Sequence, residues 1–150
     1  MDLTELNKLK ILFICTGNYY RSRFAEAYFN YRIDELNSNA TAFSRGLKIH
    51  LAEPGISPHT KNKLNLLGIP LHYTSKERRA LTENDLKSAS TAFCLYEKEH
   101  RPMILEQFPE YAEEVRYWDF PDLDEASPDF ILNAIQRKVD NLLSIINVNR

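Results

Sequence analysis

Only two cysteines, Cys15 and Cys94, occur in the 150 residues, too few for a disulfide framework. Neither belongs to a Cys-x-x-Cys pair and the four histidines are scattered, so no metal site of recognisable spacing is present and neither metal nor cofactor is expected. No apolar run is long enough to span a bilayer or to form a signal-peptide core, and Met1 to Lys10 is polar and charged. The chain is therefore expected in the cytoplasm, without a membrane partner. Charge of one sign is also lacking. A net charge of −2 gives no general attraction for nucleic acid or anionic lipid, so any recognition of an anion has to be local. At 43% hydrophobic content there is material for one core and too little length for two ordinary domains, and residues 1–150 read as a single domain.

Strand and helix signals alternate along the chain. Lys10-Ile-Leu-Phe-Ile14 is a continuous apolar run of the kind a strand covered on both faces needs, and it stops at Cys15. From Ser22, Phe24, Ala25, Tyr28, Tyr31 and Leu36 recur at helical spacing to about Asn37. Ala40–Ser44 predicts a second strand and 45–57, with Gly46, Pro54 and Gly55, a long loop. Ser57 and Pro58 supply the cap and first-turn proline of a helix that Gly68 closes. Thr82 and Asp85 resemble a capping box ahead of a third strand at Thr91–Leu95. A helix over Lys98–Gln107, a fourth strand at Glu114–Trp118, an acidic loop and a final helix from Pro128 to about Asn147 complete the order. This alternation predicts a three-layer α/β/α domain with a parallel sheet.

Chemistry concentrates in the turn after the first strand. Five residues separate Cys15 from Arg21, and Ser22 follows where the helix starts. Amides wound into a helix N-terminus point inward and carry partial positive charge, a cradle for a tetrahedral dianion formed by Thr16, Gly17, Asn18, Tyr19, Tyr20 and Arg21. The same field favours a thiolate over a thiol at Cys15, which makes it a nucleophile toward phosphorus. Arg21 can grip two equatorial oxygens with its planar fork, a contact lysine cannot copy. Gly17 is expected to supply a backbone geometry closed to other residues, and Asn18 tolerates the left-handed region. Ser22 can donate its hydroxyl to the Cys15 sulfur. The bland alternative is a buried cysteine followed by chance by an arginine. Gly, Asn, Arg and Ser or Thr at these offsets from a given cysteine have a chance likelihood of roughly 10⁻⁵ from average usage, which argues against it. Cys94, in a strand, reads as structural; His59, His72 and His100 read as surface or helix-end residues.

The run Cys15-Thr-Gly-Asn-Tyr-Tyr-Arg-Ser22 resembles the low-molecular-weight protein tyrosine phosphatase family, which carries Cys-x-Gly-Asn-x-Cys-Arg-Ser after its first strand. The likeness continues in Ala25-Glu26, Ser44 and the late acidic loop. It implies a four-stranded parallel sheet ordered 2-1-3-4 with the phosphate loop after strand 1, where open α/β sheets bind ligands. It also implies a phosphomonoester hydrolase working through a cysteinyl-phosphate on Cys15, with Arg21 on the phosphate. Substrates would be a phosphorylated protein or a small phosphomonoester, and phosphate, sulfate or vanadate would occupy the loop.

The family keeps an Asp-Pro pair after its last strand as general acid. The matching stretch here is Tyr117-Trp-Asp-Phe-Pro-Asp-Leu-Asp124, and spacing selects Asp122, with Asp119 and Asp124 as alternatives because Leu123 replaces the proline. Tyr20 stands where many members have a second, protective cysteine, so over-oxidation of Cys15 should be easier. Arg23 replaces the usual proline and is expected to add charge at the site mouth. The 45–57 loop has no aromatic wall for phosphotyrosine. Tyr19 is expected to wall the pocket instead, and Lys48 or His50 would favour a more anionic substrate. Two rivals stand beside the phosphatase reading: an arsenate reductase using an external thiol, and an inactive phosphate-binding module.

Overall fold

A computed structural model describes residues 9–148. Four strands, β1 (Lys10–Cys15), β2 (Thr41–Gly46), β3 (Thr91–Cys94) and β4 (Arg116–Tyr117), form one sheet ordered β2-β1-β3-β4, with every pairing parallel. This is the expected 2-1-3-4 order. Helices α1 (Arg21–Glu35), α2 (Pro58–Leu66), α3 (Glu83–Ser88), α4 (Glu97–Gln107) and α5 (Pro128–Val148) flank the sheet.

The two-residue period of β1 sorts its side chains between two apolar layers. Ile11, Phe13 and Cys15 join Phe24, Phe29 and Ile33 of α1, Leu64 of α2 and Ile131, Ile135 and Val139 of α5. Leu12 and Ile14 face the other way, onto Leu86 of α3 and Ile104 of α4. Complete burial of Leu12, Phe13 and Ile14 explains the unbroken apolar run, each side chain contributing about 1.5–3 kcal/mol.

Local signals hold where the chain is punctuated. Ser57 caps α2 through its hydroxyl and the His59 N–H, Gly68 follows that helix at φ 73°, and Thr82 with Asp85 closes a full capping box on α3. The expected fourth strand shrinks from Glu114–Trp118 to Arg116–Tyr117, because β4 is an edge strand and meets its neighbour only through Phe93↔Arg116 and Cys94↔Tyr117. Among the described residues no helix is long and apolar enough to cross a membrane, and no group of three or more His, Cys, Asp or Glu is arranged to hold a metal ion.

Candidate active site

The turn from Thr16 to Tyr20 links the end of β1 to the first residue of α1. Its carbonyls are drawn outward: Cys15 accepts from Leu47 N–H (3.0 Å), Thr16 from Lys48 N–H (2.8 Å), Tyr19 from Ser57 N–H (2.9 Å) and Tyr20 from Phe24 N–H (3.2 Å). By contrast, no backbone N–H from Thr16 to Ser22 has a protein acceptor among the described residues. A loop that spends its carbonyls on the scaffold and keeps its N–H groups unspent is a nest for an oxyanion.

Asn18 takes the left-handed conformation, φ 49°, as expected. Its side-chain amide donates to Ser22 Oγ (3.0 Å) and Ser44 Oγ (2.9 Å), while its Oδ1 accepts from Arg79 N–H (2.8 Å). Because the Ser22 oxygen accepts from Asn18, its own proton is free to point at Cys15 Sγ, 2.9 Å away. Gly17 is needed for a different reason than expected. Its φ is not positive; a Cβ there would come within 2.6 Å of the Ala52 Cβ, so space, not dihedral freedom, demands glycine.

Arg21 is 2% exposed and turned inward. Nη1 donates to Glu99 Oε1 (3.2 Å) and the Phe120 carbonyl (3.0 Å), Nη2 to Glu99 Oε2 (2.8 Å), and Asp122 Oδ2 lies 3.5 Å from Nη2. Its Nε, also buried, has no hydrogen-bond partner among the described residues. Burial opposes the charge, yet Glu99 and the charges of Cys15 and Asp122 push the guanidinium up from its ordinary value. Burial likewise works against the Glu99 charge, but hydrogen bonds from His100 and Arg21 overcome it and hold the carboxyl well below the usual range.

Glu99 and His100 were not singled out by sequence as site residues. Both sit at the start of α4, whose N-terminus abuts the loop. His100, expected at a surface or helix end, is fully buried. Its Nδ1 accepts the Tyr96 N–H (3.0 Å), which leaves Nε2 protonated and donating to Glu99 (3.0 Å), with Thr16 Oγ1 at 3.1 Å. Thr16 Oγ1 also donates to Glu99. Burial pulls His100 below its ordinary value and keeps the ring neutral.

A cavity of about 490 Å³ opens over the loop. Cys15, Tyr19, Tyr20 and Arg21 line it, with Leu51, Ala52 and Glu53 from the segment after β2 and Asp122 and Leu123 from the acidic loop. Asp122 thus reaches the site. Asp124 does not line it, and Asp119 lines a larger cavity of about 880 Å³ between β4 and α5 that includes no loop residue. The Tyr20 phenol is buried without a hydrogen-bond partner among the described residues, and burial pushes it up to about 12. Lys48 and His50 are not among the lining residues, so the loop after β2 contributes aliphatic groups and a carboxylate instead of cations. Arg23, expected at the mouth, is instead 2% exposed and lies against the Asn18 carbonyl of the loop. Cys94 is buried, its thiol pushed up by burial, and its side chain belongs to the layer opposite that of Cys15.

Residues 10–148 match the family described as low molecular weight phosphotyrosine protein phosphatase. A protein-arginine-phosphatase of Bacillus subtilis is 31% identical over 109 residues, 71% of this chain and 68% of that protein. An arsenate reductase of Bacillus cereus is 30% identical over 116 residues, 77% of this chain and 78% of the relative. Among solved structures, a low molecular weight protein tyrosine phosphatase from T. tengcongensis superposes with a TM-score of 0.75 at 24% identity, covering 91% of this chain and 99% of the other. The outward carbonyls and unspent amides of the loop, the Cys15–Ser22 contact and this breadth of match lead to one conclusion: the chain belongs to the low molecular weight phosphotyrosine protein phosphatase family.

Proposed function

We propose that the chain hydrolyses phosphomonoesters through a phosphocysteine on Cys15, with Arg21 on the phosphate, Ser22 supporting the sulfur and Asp122 as general acid. The supporting observation is the loop's row of unspent N–H groups around a sulfur that receives the Ser22 hydroxyl. In the first step the Cys15 thiolate attacks phosphorus, the bond from phosphorus to the leaving oxygen breaks, and Asp122 gives that oxygen its proton. In the second, water loses a proton to Asp122 and attacks phosphorus, and the sulfur departs as a thiolate stabilised by Ser22. The loop amides and the Arg21 Nε match the charge that spreads over the equatorial oxygens, and Glu99 keeps the guanidinium plane in place.

Phosphoarginine is a second substrate reading, favoured by Glu53 at the cavity wall and by the protein-arginine-phosphatase relative. A cationic guanidinium leaving group suits a cavity lined by two carboxylates, Glu53 and Asp122, and by no lysine. Arsenate reduction would need an external thiol, because the only other cysteine is buried in the opposite layer. The deciding experiment measures hydrolysis of p-nitrophenyl phosphate, phosphotyrosine and phosphoarginine by wild type and Cys15→Ser. Turnover lost in Cys15→Ser is expected; turnover that survives contradicts the mechanism, and arsenate turnover with an added thiol but no phosphatase activity favours the reductase.

A further inference from the structure

Beneath the phosphate loop a closed ring of hydrogen bonds starts and ends on Asn18. Asn18 Nδ2 donates to Ser44 Oγ (2.9 Å), Ser44 Oγ to Glu26 Oε1 (2.7 Å), and Thr74 Oγ1 to the same Glu26 oxygen (2.6 Å). Arg23 Nε donates to Thr74 Oγ1 (2.6 Å), and Arg23 Nη1 returns to the Asn18 carbonyl (3.4 Å). All five residues are buried. Arg23 also donates to the Gly55 carbonyl (3.3 Å) and to the carbonyl of Ser75, next to Thr74.

We propose that Arg23 is a positioning residue of the phosphatase reaction: its buried guanidinium clamps Asn18 in the left-handed conformation and ties the phosphate loop to Gly55, in the segment that follows β2. This rests on the phosphatase reading and extends it. Asn18 is the joint through which the clamp reaches the chemistry, since the amide that donates to Ser44 also donates to Ser22 Oγ, which in turn touches Cys15 Sγ.

The charge of Arg23 argues in the same direction. Arg23 has no carboxylate within ion-pair distance among the described residues; its partners are a hydroxyl and three carbonyls. A guanidinium buried on neutral acceptors is a costly way to fill space, and an apolar side chain of the same volume would do that better. Burial disfavours its charge, and the charges of Glu26 and Cys15 are what oppose that penalty. A second buried cation under the loop therefore gains most when the sulfur is a thiolate and a dianion is bound. Lysine cannot reproduce the four-way contact, because an ammonium lacks the planar fork that reaches carbonyls in three segments.

The test compares wild type with Arg23→Met, Arg23→Lys and Thr74→Val for p-nitrophenyl phosphate turnover, binding of inorganic phosphate by calorimetry, and thermal unfolding. Arg23→Met is expected to lose roughly tenfold or more in both kcat/KM and phosphate affinity per folded molecule, with Arg23→Lys in between. Thr74→Val, which keeps Arg23 but cuts the ring, is expected to lower both by about threefold. A lower unfolding midpoint with kcat/KM and phosphate affinity within about twofold of wild type would show a merely structural residue and overturn the proposal. Should Arg23→Met fail to fold, Thr74→Val decides by the same two readouts. Wild type that binds phosphate without turnover would sink the phosphatase reading alone, and relative phosphate affinities would still decide the role of Arg23.

Discussion

Glu99 takes both terminal nitrogens of Arg21, Oε1 on Nη1 at 3.2 Å and Oε2 on Nη2 at 2.8 Å, across 78 positions of sequence. The fork is thereby held from behind, and among the described residues the one guanidinium nitrogen left without a partner is Nε. Glu99→Gln keeps the shape and removes the charge. It is expected to lower kcat/KM for p-nitrophenyl phosphate by about tenfold to a hundredfold, since a displaced guanidinium no longer aims Nε at the equatorial oxygens. Steady-state kinetics at fixed ionic strength check this, and an unchanged kcat/KM would remove Glu99 from the account.

Asp122 is the one aspartate of the acidic loop that lines the cavity over Cys15. If it protonates the leaving group, Asp122→Asn should cost about 10²–10⁴-fold with phenyl phosphate and much less with p-nitrophenyl phosphate, whose leaving group needs little protonation. Asp119→Asn and Asp124→Asn should stay near wild type. Equal losses with both esters would mean that Asp122 acts by some route other than proton transfer.

His100 gives a pH dependence to stability. Its folded value lies below the ordinary 6.5 because burial disfavours the charged ring. As pH falls through 6.5 the unfolded chain takes up the proton first, so stability contributed by the neutral ring is fully present above 6.5 and is lost as pH drops toward the folded value. One such proton gives a slope of at most about 1.4 kcal/mol per pH unit. Glu99, held low in the folded chain, adds its own loss only below its ordinary 4.5. Urea unfolding between pH 7 and 5 should show the His100 slope in wild type and a flatter one in His100→Gln; identical slopes would contradict the assignment.

Tyr20 occupies the place of a second loop cysteine, and Cys94 is buried in the other layer with its thiol pushed up. Cys15 therefore has no second cysteine on its own side of the sheet, and a sulfenic acid there is expected to proceed to irreversible acids. Inactivation by hydrogen peroxide should be slowed by phosphate and not reversed by dithiothreitol. Recovery of most activity with dithiothreitol would show that protection exists.

What was legible in the sequence was what short-range physics controls. The apolar run before Cys15, the Ser57-Pro58 start of α2 and the Thr82/Asp85 box are each decided within a few residues, and the five-residue spacing to Arg21 defines a loop by itself. Polar residues whose burial depends on distant partners were not legible. Arg23 looks like a surface charge until Thr74, Gly55 and Ser75 close around it, and His100 looks like a helix-end residue until Tyr96 and Glu99 take its two nitrogens. Gly17 shows the same limit from another side, because the group that excludes a side chain there, Ala52, lies 35 positions on.

Rapid acid quenching after mixing with p-nitrophenyl phosphate, followed by mass spectrometry of the peptide that contains Cys15, tests the covalent step most directly. A phosphoryl group on Cys15, present in wild type, accumulating in Asp122→Asn with p-nitrophenyl phosphate and absent in Cys15→Ser, is the predicted result. Turnover with no phosphoryl adduct on Cys15 at any quench time would contradict it.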